Sequence, residues 1–149
     1  MPELPEPYLP SPDGPFPGLS SADAWLCKAY LRKYGDTYLR LYWNIRVGVG
    51  IGEEAEKLEE PYRTMAIQTS QMRIDMVGVP KDREEWDLIE YRIDAGAGAI
   101  GSLMCYRYLW PAEWHAPMRM ILVTDIVRRD IAAVAEFYDI NIVKVIPEY

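Results

Sequence analysis

The chain has 149 residues, 50% apolar and 26% charged, with 23 Asp plus Glu against 16 Lys plus Arg and a formal net charge of -7. That size fits one domain around a single core, and the acidic balance disfavours DNA as a partner unless a local basic patch attracts it. No apolar run approaches the ~18 residues that cross a bilayer, and a lone histidine, His115, with no CxxC excludes a zinc site by spacing.

Cys27 and Cys105 lie far apart among helical apolar residues and read as buried free thiols of a reducing compartment. The acidic, Pro-rich start has neither the basic residues nor the apolar stretch of a secretory signal, so a cytoplasmic protein without membrane association is expected. Residues 1–19 form a Pro-rich arm, with seven prolines by residue 18, that can make neither helix nor ladder. Leu4, Tyr8, Leu9, Phe16 and Leu19 are spaced through it like anchors for its own domain or for a partner. Residues 20–149 then read as a single domain. The 11 tyrosines and 5 tryptophans suggest an aromatic surface that meets a partner protein or a second copy of the chain.

Ser20 and Ser21 offer N-caps to a helix over 22–35, with Asp23 in its first turn and Gly35 as its stop. From 38 to 49, Leu39, Leu41, Trp43, Ile45, Val47 and Val49 alternate with Tyr38, Arg40, Tyr42, Asn44 and Arg46, which predicts a strand with one core face and one polar, aromatic face. Gly48, Gly50 and Gly52 end it. Residues 52–63 read as a solvated charged loop or short helix interrupted by Pro61. Two strands follow, joined by the polar hairpin connection VPKDREEW. The first sets Met72, Ile74 and Met76 opposite Arg73, Asp75 and Val77. The second sets Ile89 and Tyr91 opposite Leu88, Glu90 and Arg92. A helix over 99–110 ends at Pro111, MRMILVT (118–124) reads as a strand buried on both faces, a helix over 125–138 takes Thr124 as its N-cap, and a strand covers 141–146. This order predicts an α/β (α+β) domain with a mixed central sheet flanked by helices.

Asp75 and Glu90 are the residues that need a reason, since each is a charge inside an otherwise apolar strand. If the two strands pair as a hairpin, their charged faces coincide and bring Asp75, Glu90 and Arg92 together. Two converging carboxylates can hold a hard cation such as Mg2+, and a neighbouring cation can help activate water or steady a phosphate. The same residues can instead form an ion-pair cluster with Arg73 that does no chemistry. Gly96, Gly98 and Gly101 spell GxGxxG between a strand and a helix, the outline of a dinucleotide fingerprint. The preceding strand carries Glu90 and Arg92, however, and the region 20 residues on is PAEWH. The bland alternative is that these small residues let the helix approach the sheet. His115 reads as a loop residue, and nothing marks a nucleophile.

The pattern RID (73–75), a loop, IEYR (89–92), the helix IGSLMCYRYL, then ILVTDI and NIVKVI resembles the PD-(D/E)xK nuclease-like superfamily over about residues 70–146. The resemblance implies a restriction-endonuclease-like αβββαβ core, with Asp75 and Glu90 as metal ligands and Arg92 at the position of the catalytic lysine. Ser102 stands where many relatives have a glutamine, and Glu53, Glu54 and Glu56 are the candidates for an earlier helical glutamate. Arginine stays protonated and cannot act as a general base. The resemblance therefore implies a catalytically degraded nuclease fold serving as a structural or interaction module with no cofactor, set by general analogy in a tailed-phage assembly or virion. Two alternatives stand beside it. One is an active Mg2+-dependent DNA nuclease using Asp75, Glu90 and Arg92, and the other is a nucleotide-binding protein using the Gly96–Gly101 bend.

Overall fold

The computed structural model describes residues 3–149. In chain order the elements are α1 (Ser21–Tyr34), a 3-10 turn (Gly35–Thr37), β1 (Tyr38–Val47), a 3-10 segment (Gly52–Lys57), α2 (Tyr62–Ser70), β2 (Met72–Pro80), β3 (Trp86–Tyr91), α3 (Ala97–Leu109), β4 (Met118–Thr124), α4 (Arg129–Phe137) and β5 (Ile140–Lys144). The strands form one mixed sheet in the order β1-β2-β3-β4-β5, antiparallel from β1 to β3 and parallel from β3 to β5. α3 and α4 supply the crossovers that parallel neighbours need.

Helices cover both faces of the sheet. On one side α1 sets Leu26, Cys27, Tyr30 and Leu31 against Met76, Ile89, Tyr91, Ile121 and Val123. On the other, Ala99, Ile100, Leu103 and Tyr106 of α3 and Ala135 of α4 pack on Ile74, Val77, Leu88, Met120 and Leu122. This double cover is why the β3 and β4 sequences are nearly continuous apolar runs. α1 starts as expected, with the Ser20 hydroxyl accepting from the Asp23 N–H at 3.2 Å.

Several expectations are corrected. β1 has no solvated aromatic face: Tyr38 and Tyr42 are buried, whereas Leu39 and Val49 are exposed. A bulge between Tyr38 and Arg40 turns Leu39 outward, and the helical cover reaches both faces of the strand. Met72, Ile74 and Met76 do not share one packing partner either. Trp43 and its partner Met76 pack on the α1 side, Ile45 and its partner Ile74 on the α3 side, and Asn44 between them takes φ 52°. The short charged helix expected within 52–63 is the 3-10 segment Gly52–Lys57, and just after Pro61 residues 62–70 form α2, a helix without a buried residue that the sequence did not mark. α4 starts at Arg129, and Thr124 does not cap it; the Thr124 hydroxyl donates to the carbonyls of Ile93 and Ile126. Cys27 is buried but Cys105 is exposed, on the outer face of α3.

The described part of the Pro-rich arm lies on its own domain. Tyr8 and Leu41 exchange two backbone hydrogen bonds of 2.8 Å, so the arm closes part of the β1 edge. Leu4 joins the α3-side core and Phe16 and Leu19 the α1-side core, while Leu9 is exposed. Among the described residues, no helix is long and apolar enough to cross a membrane.

Candidate functional site

The two strands of the β2–β3 hairpin carry three acidic side chains, and the register decides their fates. Gly78 pairs with Asp87, Val77 with Leu88 and Met76 with Ile89, where the ladder stops. One residue beyond, the Asp75 carboxylate takes a ladder position itself: the Tyr91 N–H donates to Asp75 Oδ2 at 2.9 Å. The opening of the hairpin thus draws Asp75 toward β3 and against Glu90.

Glu90 is 1% exposed. Its carboxyl hydrogen-bonds Asp75. The Tyr106 hydroxyl of α3 donates to Glu90 Oε2 at 3.4 Å, and Arg92 Nη2 lies 3.3 Å from the same oxygen. Arg92 is about half-exposed, so its charge is shared with water. Burial pushes the Glu90 carboxyl up to about 9, and the hydrogen bond and charge of Asp75 push the same way, against Arg92 and Tyr106. At neutral pH Glu90 therefore holds a proton and donates it toward Asp75. Burial also raises the Tyr106 phenol, with Glu90 and Asp75 adding to the shift, and Ser102 bonds that phenol one turn earlier in α3.

The structure brings Asp75, Glu90 and Arg92 together at one end of the hairpin. Arg73 is exposed and stands apart from the burial that shapes Glu90. A fourth group was missed in the sequence. Asp23 of α1 is raised by burial, lowered by its Ser20 bond, raised by the charge of Asp75 and lowered by that of Arg92, so it lies within electrostatic reach of both. The available signal was an acid in the first turn of a helix that must pack across the sheet. Glu53, Glu54 and Glu56, expected as candidates for that role, are exposed on the segment that packs against α2, with Glu54 paired to Lys57 at 2.8 Å.

Among the described residues, no group of three or more His, Cys, Asp or Glu side chains is placed to hold a metal ion. Asp75 and Glu90 alone supply the hard oxygen donors of a hydrated Mg2+, which commonly takes one or two carboxylates and completes its shell with water. The donor chemistry fits, with Arg92 as a competing cation. The Gly96–Gly101 bend departs from the dinucleotide fingerprint, because four residues separate Tyr91 at the end of β3 from Gly96 at the start of α3. The close-packing expectation fails as well: a Cβ at Gly96, Gly98 or Gly101 would meet nothing within 4 Å. His115 lies in its loop, stacked on Trp86 at 4.2 Å, with its Nε2–H donating to the Glu84 carbonyl at 2.6 Å.

At the other end of β3, Asp87 is fully buried and was not singled out in the sequence. Arg83 donates to both its oxygens at 2.9 and 2.8 Å, Arg119 at 3.1 and 3.4 Å, and the Tyr38 hydroxyl at 2.6 Å. Tyr38 reaches it because its ring lies across Gly78, where a Cβ would stand 2.3 Å from the ring. Asp87 and Arg119 are register partners on β3 and β4. An Asp and an Arg near the starts of two adjacent apolar strands were the legible signal.

No protein-family model and no curated protein matches the chain. Among solved structures, a repair endonuclease from Pyrococcus abyssi is similar at 22% identity, with a TM-score of 0.45 over 51% of this chain. The similarity spans 34% of that protein's chain.

Proposed function

We propose that this chain is a restriction-endonuclease-like domain that keeps the carboxylate pair of a divalent-cation site, has lost strand cleavage, and acts as a structural or interaction module. Arg92 carries the reading. Phosphodiester cleavage needs a group that can take a proton from the attacking water. Arg92 is permanently protonated and its guanidinium lies 3.3 Å from Glu90, so it competes with a metal for that place and cannot serve as the base. Glu90 already carries a proton at neutral pH and directs it to Asp75. Were Mg2+ to bind, Asp75 and Glu90 would hold it, and the ion would lower the pKa of water and steady a phosphate.

The module would meet a protein partner or a second copy through exposed side chains such as Tyr62 and Met65 of α2, Tyr108 of α3 and Phe137 of α4. The arm and β1 are less suited to this role, since much of each is spent on the chain's own core. A tailed-phage or virion setting belongs to this reading by analogy alone. Asp23 favours the second reading, an active Mg2+-dependent DNA nuclease, because it adds an acid within electrostatic reach of Asp75.

Incubating the chain with single-stranded, duplex and branched DNA in Mg2+ or Mn2+ separates the two. No product above the Asp75→Ala background is expected. Metal-dependent cleavage that vanishes in both Asp75→Ala and Glu90→Ala would overturn the proposal. Arg92→Lys then locates the loss: restored cleavage assigns it to that side chain, and silence assigns it to further groups.

A further inference from the structure

We propose that the cavity between the C-terminal end of α1 and strands β4 and β5 binds a phosphate group, free or as a small monoester, through Arg83 and Arg119. The inference is independent of the reading of Asp75 and Glu90, which lie at the other end of β3. The cavity holds about 440 Å³ and is lined by both arginines together with Tyr34, Asn141, Ile121 and Ile142. That is the volume of a small organic ligand.

Asp87 explains why the arginines are held there. A carboxylate offers about four acceptor positions, and Asp87 already receives two bonds from Arg83, two from Arg119 and one from Tyr38. Its acceptor capacity is filled. Tyr38 spends its proton on Asp87, so Tyr30 donates to Tyr38 across their 2.6 Å contact, which adds a buried polar wall behind the pair. The two guanidiniums carry about ten N–H groups. Among the described residues they make five hydrogen bonds, four to Asp87 and one to the Glu85 carbonyl. Their side chains are 28% and 34% exposed and both line the cavity, so donors remain for an occupant.

Charge points the same way. Two guanidiniums against one buried carboxylate leave one positive charge in excess. Asp82 also lines the cavity, but it is exposed at the rim, beside Lys81, where water screens it. A tetrahedral phosphate dianion presents more oxygens and more charge than a second carboxylate would, and can accept from both guanidiniums at once. The Tyr34 ring and the two isoleucines leave room for the organic part of an ester. Asp87 is thus a positioning residue, and Arg83 and Arg119 are the binding groups.

Amide NMR titration with inorganic phosphate, with thymidine 5′-monophosphate and with thymidine tests this. Both phosphates should give saturable shifts at Tyr34, Arg119 and Asn141, and thymidine none. Tighter binding of the nucleotide identifies an ester as the ligand and equal affinity identifies free phosphate; both support the site. Arg119→Gln should weaken binding about tenfold or more by removing a charge-assisted contact. Asn141→Trp, on the open edge of β5 and away from Asp87, should fill the cavity and abolish binding with an unchanged melting temperature. No saturable shift up to about 10 mM phosphate, a weak affinity by any measure, would overturn the proposal. So would thymidine binding as well as the nucleotide, or both variants binding like the parent.

Discussion

The two ends of β3 treat a buried acid in opposite ways. Asp87 is fully enclosed and receives two guanidiniums and a phenol, so its charge is balanced with one positive charge over. Glu90, three residues along and equally enclosed, has another carboxyl beside it, a long bond from Tyr106 and a half-exposed arginine, and it answers by keeping a proton. A buried charge is tolerated when it is paired and otherwise neutralises itself. The Asp87 end is therefore a rigid, compensated cluster. The Asp75–Glu90 end lacks a second cation within bonding distance, and Glu90 there meets its burial by holding a proton instead.

Mutation should break the two ends unequally. Asp87→Asn leaves two guanidiniums without their carboxylate and is expected to cost about 3–5 kcal/mol, a drop in melting temperature on the order of 10 °C. Tyr38→Phe removes one hydrogen bond to the same carboxylate and should cost about 1.5–3 kcal/mol in denaturant unfolding. At the other end the effect is in pH rather than magnitude. The folded state raises the Glu90 carboxyl from 4.5 to about 9 and so binds that proton more tightly than the unfolded chain does. The stabilisation is complete below about pH 4.5 and is lost as the pH rises toward about 9. The melting temperature should fall over that window in the parent, and Glu90→Gln, which keeps a donor toward Asp75, should flatten the profile. Smallest of all, Arg92→Ala should change stability by less than about 1 kcal/mol, because its partner is protonated and its own charge is shared with water. Equal costs for Asp87→Asn and Arg92→Ala would erase the contrast.

Much of the architecture was legible because it follows from periodicity. The helices at α1 and α3, the hairpin, the doubly buried β4 and the succession of the five strands all come from apolar spacing, and so does the meeting of Asp75 with Glu90. What was not legible depends on tertiary cover. Tyr38 and Tyr42 alternate with core residues and look solvated until the second helical layer is in place, and a single bulge then reverses Leu39. α2 buries nothing, so it leaves no apolar stripe to read. Asp23 reaches the site across the sheet, and Asp87 is recognisable only when β3 and β4 are aligned in parallel with Arg119 beside it. The glycines of the α3 bend carried a packing expectation that their open surroundings do not support.

The most direct test is the titration of the Glu90 carboxyl carbon, followed by NMR in the otherwise unmodified chain. The account predicts that Glu90 is protonated at pH 7 and titrates near 9. A midpoint near 4.5, with Glu90 ionised at neutral pH, would contradict it and make this end of the hairpin a compensated ion-pair cluster like the one at Asp87.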